Sequence, residues 1–203
     1  MKHFLNISDL SVHQIKHLLD RALYFKETQQ FASHPNHILA NLFYENSTRT
    51  RISFELAAQH LSIKVVNVDL FNSSEAKGEV IEDTMQTLAA MGVTLFVVRH
   101  SQSGLPERLA NCLGDGVHVI NAGDGIHAHP TQAMLDLMTI MEKKPNLHEL
   151  KIVIVGDIRH SRVANSLQSL FQLMNVGELV LVAPPVWQPE TVQYGYVSAD
   201  RKS

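Results

Sequence analysis

Ile38-Leu39-Ala40-Asn41-Leu42-Phe43, then Ser47-Thr48-Arg49-Thr50-Arg51, then Ile52-Ser53-Phe54-Glu55-Leu56-Ala57-Ala58: this stretch decides the fold. The first run reads as a buried strand and the last as a helix, so hydroxyls and guanidinium groups are concentrated on a strand-to-helix turn. Free backbone N–H groups and the positive end of a helix dipole favour an anion there. Arginine adds a fork of donors that matches phosphate or carboxylate. A helix cap with two solvated arginines would need fewer hydroxyls than this.

Outward from that turn, strand and helix patterns alternate. Ser11 with Gln14 forms a capping-box pattern that opens a first helix, whose apolar face is Val12, Ile15, Leu18, Leu19, Ala22 and Leu23. Strands are expected at 64–68, 94–98, 117–120, 151–155 and 179–182, with helices between them. Asn121 to Gly125 reads as a turn by composition, and Pro130 falls at the first turn of a helix carrying Met134, Leu135, Leu137, Met138 and Met141. The fully apolar strands predict parallel sheets covered on both faces. The expected fold is therefore α/β, a doubly wound parallel sheet domain followed by an incomplete second α/β domain. Lys143-Lys144-Pro145-Asn146 gives the expected boundaries: 1–145, a partial domain at 146–183, and an irregular tail at 184–203.

Composition narrows the function. Of 203 residues, 45% are hydrophobic and 18% charged, and the net charge of −3 argues against an extended nucleic-acid surface. One cysteine excludes an intrachain disulfide framework and a Cys-rich zinc site. His127 and His129 have no carboxylate or cysteine at ligand spacing, so no metal is expected. No apolar stretch is long enough to span a bilayer, and the N-terminus has no signal-peptide core; a cytoplasmic protein that does not enter membranes is expected.

In open parallel sheets, ligands bind beyond the carboxyl ends of the strands. Four polar clusters are expected on that edge: Ser47 to Arg51, Arg99-His100, Asp124 to Gln132, and Asp157 to Arg162. Arg49, Thr50 and Arg99 together would neutralise a dianionic phosphate, each charge-assisted bond contributing about 1.5–3 kcal/mol. His129 is a donor for a carbonyl oxygen, Lys77 a point charge for an anion, and Arg162 a partner for a carboxylate.

These residues resemble the carbamoyltransferases, in their aspartate branch. The resemblance rests on Phe43 to Glu55, Ser73 to Glu79, Asn121 to Gly125 with His129-Pro130-Thr131-Gln132, and Gly156-Asp157 with Ser161-Arg162-Val163. It implies transfer of the carbamoyl group from carbamoyl phosphate to L-aspartate in pyrimidine synthesis, with no cofactor. Ser47, Thr48, Arg49 and Thr50 would hold the phosphate with Arg99, His129 and Thr50 would lie at the carbonyl oxygen, and Gln132 near the carbamoyl nitrogen. Lys77 and Arg162 would serve aspartate, and Ser73 and Lys77 would reach a neighbouring subunit's site, implying a homotrimer with shared active sites. Regulatory or dihydroorotase subunits remain open as partners. The family's His-Pro-Leu-Pro-like loop and further arginine are not found, Thr191 to Ser203 does not match the family's continuation, and a C-terminally truncated chain is expected. Two alternatives stand beside this reading. One is a catalytically impaired remnant that binds phosphate ligands or assembles with intact subunits. The other is an ornithine carbamoyltransferase, which the Lys77 loop disfavours.

Overall fold

A computed structural model describes residues 1–68 and 80–199. Its elements begin with α1 (Val12–Thr28), β1 (Ile38–Phe43), α2 (Thr48–His60) and β2 (Lys64–Asn67). They continue through α3 (Ile81–Ala90), β3 (Leu95–His100), α4 (Leu105–Asn111), β4 (His118–Asp124) and α5 (Pro130–Lys143). The last are β5 (Lys151–Val155), α6 (Arg162–Leu173), β6 (Glu178–Val182) and β7 (Tyr196–Ser198). Ser73 and Lys77 lie outside the described residues.

Contacts divide the chain into two units: 1–5 with 23–125, and 6–22 with 126–203. The first is a parallel sheet in the order β2-β1-β3-β4. Side chains alternate across a strand, and the core follows that alternation. Ala40, Leu42, Phe96 and Val98 pack with Met85 of α3 and with Leu105 and Leu109 of α4. Their neighbours Leu39 and Val97 pack with Ala58 and Phe54 of α2. Helices thus cover both faces, the doubly wound arrangement expected from apolar strands. Because β1 leads first to β2 on one side and then to β3 on the other, the sheet has its switch point between β1 and β3.

Asn121 to Asp124 does not turn; it continues β4. The N-terminal residues explain why. Phe4 donates to the Val119 carbonyl, Asn121 N–H donates to the Phe4 carbonyl, and Asn121 Nδ2 donates to the Leu5 carbonyl at 2.9 Å. Asn121 Oδ1 accepts from Gly123 N–H at 2.8 Å, so a residue that composition assigns to a turn is buried with its amide satisfied. The pairing jumps from Val98↔Asn121 to His100↔Asp124, leaving Arg99 opposite the two residues Ala122 and Gly123. Gly123, at φ 137°, supplies the backbone freedom for this bulge.

The second unit carries the parallel sheet β5-β6-β7. Helix α5 packs on α6, which also packs on a 3-10 turn at Ile7–Asp9. The contact division therefore falls after Gly125, upstream of α5, and differs from the expected boundary after residue 145. The segment read as an irregular tail contains β7, paired in register with β6 through Val180↔Tyr196 and Leu181↔Val197. It hides from sequence periodicity because it has only three residues. Gln193 N–H donates to the buried Gln168 Oε1, and Ser169 donates to Gln193 Oε1 at 2.7 Å. Gly195 lets the chain pass the sheet: at φ 85°, an added Cβ would stand 2.2 Å from the Leu179 carbonyl oxygen. Leu135, expected on the apolar stripe of α5, is exposed instead.

Candidate anion site at the sheet switch point

At the carboxyl end of β1 the chain reaches Ser47, which caps α2 with φ −153° and ψ 84° and whose hydroxyl makes no capping bond. Arg51 N–H is the first to bond back into the helix, to the Ser47 carbonyl at 3.1 Å. The N–H groups of Thr48, Arg49 and Thr50 belong to the open first turn, where the dipole favours an anion. Arg49 is exposed. Helix α2 begins at Thr48, four residues earlier than the apolar run at Ile52 predicts, so the hydroxyl and arginine side chains lie within its first turn.

Arg99 stands at the neighbouring strand end, across the switch point, with its Cα paired to Phe43. Its Nε lies 3.1 Å from Glu45 Oε2, and its Nη1 donates to the Ala122 carbonyl at 3.3 Å. The Arg99 side chain is 14% exposed and that of Glu45 28%. The structure thus holds Arg99 against a carboxylate at the site edge. Glu45 was legible only as part of a motif; its place two residues past the strand end was the available signal. The Tyr44 and His100 rings, one residue further along each strand end, sit 4.9 Å apart. Burial is the leading cause that lowers the His100 pKa below 6.5; Arg108 adds to it, while Glu45 and Asp124 oppose it.

Asp124 is buried, and its Oδ1 accepts from Gly104 N–H at 2.8 Å, so it anchors the loop into α4.

In the second unit, His129 precedes Pro130 at the start of α5 and is 6% exposed. Its N–H donates to Ser166 Oγ at 2.9 Å, and Thr131 Oγ1 lies 3.4 Å from its Nδ1. Asn165 Nδ2 donates to the Ile126 carbonyl at 3.0 Å. Arg162 is the first residue of α6, after the Ser161 cap, whose Oγ accepts from Ala164 N–H at 3.2 Å. One helix therefore both carries Arg162 and fastens the His129 loop, through residues three and four positions further on. Neither Asn165 nor Ser166 was read from sequence as a site residue. Gln132 Nε2 donates to Asp136 Oδ1 at 2.8 Å, and burial raises the Asp136 carboxyl above its ordinary value against that bond. Asp157 binds the His160 ring at 2.9 Å, and that bond leads in depressing its carboxyl. Among the described residues, no group of three or more His, Cys, Asp or Glu side chains could hold a metal ion, and no helix is long and apolar enough to cross a membrane.

An open helix terminus at the switch point of a parallel sheet, in a chain with a second parallel unit, defines an α/β protein of the open-sheet class. Residues 2–142 match the family model "Aspartate/ornithine carbamoyltransferase, carbamoyl-P binding domain". The aspartate carbamoyltransferase catalytic subunit of Legionella pneumophila (strain Corby) is 64% identical over 198 residues, covering 98% of this chain and 67% of that protein. The chain belongs to the aspartate/ornithine carbamoyltransferase family. A catalytic subunit of the same name from Coxiella burnetii (strain Dugway 5J108-111) is 49% identical over 94% of the chain and 63% of its own length. Among solved structures, the M. jannaschii aspartate transcarbamoylase catalytic subunit superposes with a TM-score of 0.83 at 32% identity, over 100% of this chain and 70% of that one. The Trypanosoma cruzi enzyme, solved with carbamoyl phosphate and aspartate, gives a TM-score of 0.83 at 27% identity over 98% of this chain and 66% of its own. The Legionella match leaves too few residues outside it to contain Thr191 to Ser203, which corrects the expectation that this segment departs from the family.

Proposed function

We propose that the chain transfers the carbamoyl group of carbamoyl phosphate to the amino group of L-aspartate, giving N-carbamoyl-L-aspartate and phosphate for pyrimidine synthesis. The observation that carries this reading is that β1, which leads into the open α2 terminus, is paired with β3, which carries Arg99, at the switch point of the sheet. The aspartate branch is supported over the ornithine one by relatives named aspartate carbamoyltransferase at 49% and 64% identity.

In this reading Ser47, Thr48, Arg49 and Thr50 bind the phosphate through the first turn of α2. Arg99 joins them by exchanging its Glu45 contact for a phosphate oxygen. The neutral amine of aspartate attacks the carbonyl carbon, a C–N bond forms, and negative charge grows on the carbonyl oxygen. Thr50 and His129 donate to that oxygen, and Gln132 holds the carbamoyl nitrogen. Collapse breaks the C–O bond to phosphate, whose new charge Arg49 and Arg99 offset, while the attacking nitrogen passes its proton to the departing phosphate. Donors fixed before reaction lower such a barrier because they need no reorganisation. Arg162 and Lys77 bind the aspartate carboxylates, with Ser73 and Lys77 supplied to a neighbouring subunit in a homotrimer. A cytoplasmic setting suits both substrates, and no cofactor takes part.

A second reading, phosphate-ligand binding without turnover or assembly with intact subunits, is favoured by β5. It lies at a sheet edge, with Val153 44% and Val155 63% exposed on one face. Carbamoyl-aspartate formation by the purified chain separates the two readings. Turnover supports transfer; carbamoyl phosphate binding in calorimetry without product leaves the second; no binding removes transfer and ligand binding alike and leaves only assembly with intact subunits.

A further inference from the structure

We propose that His100 is a positioning residue for Arg99, acting as a neutral hydrogen-bond acceptor that fixes the strand end from which Arg99 addresses the phosphate. This rests on the phosphate-site reading above.

Three hydrogen bonds and one ring contact define its role. Gln102 N–H donates to His100 Nδ1 at 2.8 Å, which places the ring proton on Nε2. Gly125 N–H donates to the His100 carbonyl at 2.8 Å, and Tyr44 N–H to the Arg99 carbonyl at 2.9 Å. The Tyr44 ring meets the imidazole at 4.9 Å, tilted by 60°. The Tyr44–His100 contact and the Glu45–Arg99 ion pair each link a residue just past β1 to the end of β3. The bulge opposite Arg99 interrupts the regular register on the β4 side of β3, and the His100 contacts lie where that register breaks.

Protonation would place N–H against N–H at Gln102 and bring a cation next to Arg99. The 100–102 turn would then have to move, and the backbone bearing Arg99 would move with it. The charged and titratable groups facing His100 are Glu45 and Tyr44 beyond β1, Asp124 on β4 and Arg108 on α4, the last already paired with Glu82 at 2.7 Å. The lowered His100 pKa keeps the ring neutral at neutral pH, as an acceptor must be.

The test uses sulfate, whose charge is constant with pH, titrated calorimetrically into the full chain. His100→Asn keeps an acceptor near the Nδ1 position and cannot become a cation; His100→Leu keeps bulk and removes the acceptor. Between about pH 7.5 and about pH 5.5, wild-type affinity should fall about tenfold further than that of His100→Asn, spanning the range in which histidine titrates. His100→Leu should bind about tenfold more weakly than wild type at the higher pH, the effect of losing about one acceptor bond near a charge. Should the Leu variant fail to fold, the Asn comparison alone decides. Equal pH slopes for wild type and His100→Asn overturn the inference and leave the phosphate site standing. Absence of sulfate binding by wild type at both pH values overturns both.

Discussion

Replacing Arg49 with alanine should remove ligand binding while leaving the fold intact, and the two effects can be measured separately. Arg49 is exposed in the first turn of α2, and its carbonyl, which accepts from Ser53 Oγ at 2.8 Å, survives the substitution. Surface changes of this kind alter stability by about 0.5 kcal/mol or less, and alanine is the better helix former. A guanidinium fork on phosphate makes two charge-assisted bonds of about 1.5–3 kcal/mol each, so the loss is about 3–6 kcal/mol, at least a hundredfold in Kd. Arg49→Lys should fall between, retaining charge without the planar fork. Calorimetry with carbamoyl phosphate reads the affinity, and urea denaturation reads the stability. Affinity within about twofold of wild type for Arg49→Ala would refute the cradle at the α2 terminus, because one helix terminus without its fork cannot hide a difference of this size.

Ser166→Ala should lower the urea midpoint, because the buried His129 N–H loses its acceptor at a cost of about 1–3 kcal/mol; an unchanged midpoint would mean that the loop has another anchor. Gly195→Ala should loosen the 193–198 segment and expose it to limited proteolysis, since its Cβ meets the Leu179 carbonyl at a positive φ; cleavage at the wild-type rate would contradict the close approach. Stability should also fall with acid below about pH 6.5. His3 and His100 are both depressed from 6.5, with burial as the first cause, so between their folded values and 6.5 the unfolded chain binds more protons. Urea titrations down this range should show the loss, and a combined His3→Gln and His100→Asn variant should flatten it.

Much of the first unit was legible because its strands are short apolar runs with helices of clear period between them. Ile38 to Phe43 was bounded correctly by pattern alone, and the Ser11–Gln14 capping box forms as read, with Ser11 N–H on Gln14 Oε1 at 2.9 Å. The turn reading of Asn121 to Asp124 failed for a long-range reason. Local composition favours a turn, but the Leu5 carbonyl, 116 positions away, satisfies the Asn121 amide within a strand. The Arg99–Glu45 pair was hidden similarly: it depends on the β1–β3 register, which neither strand encodes locally. Motif reading singled out as candidates the groups with obvious chemistry, Arg49, Arg99, His129 and Arg162. It missed Ser166 and Tyr44, whose importance comes only from what they touch.

The chain passes between its two units three times, after residues 5, 22 and 125. As a result, the ribosome delivers part of the second unit almost first and the remainder last. Ile7, 2% exposed when folded, has its α6 partner only after more than 150 further residues have been made. Until then the apolar side chains of that stretch lack the partners they have in the folded chain. Cutting the gene at Gly125 to obtain the C-terminal piece would leave α6 without the partner that the N-terminus supplies.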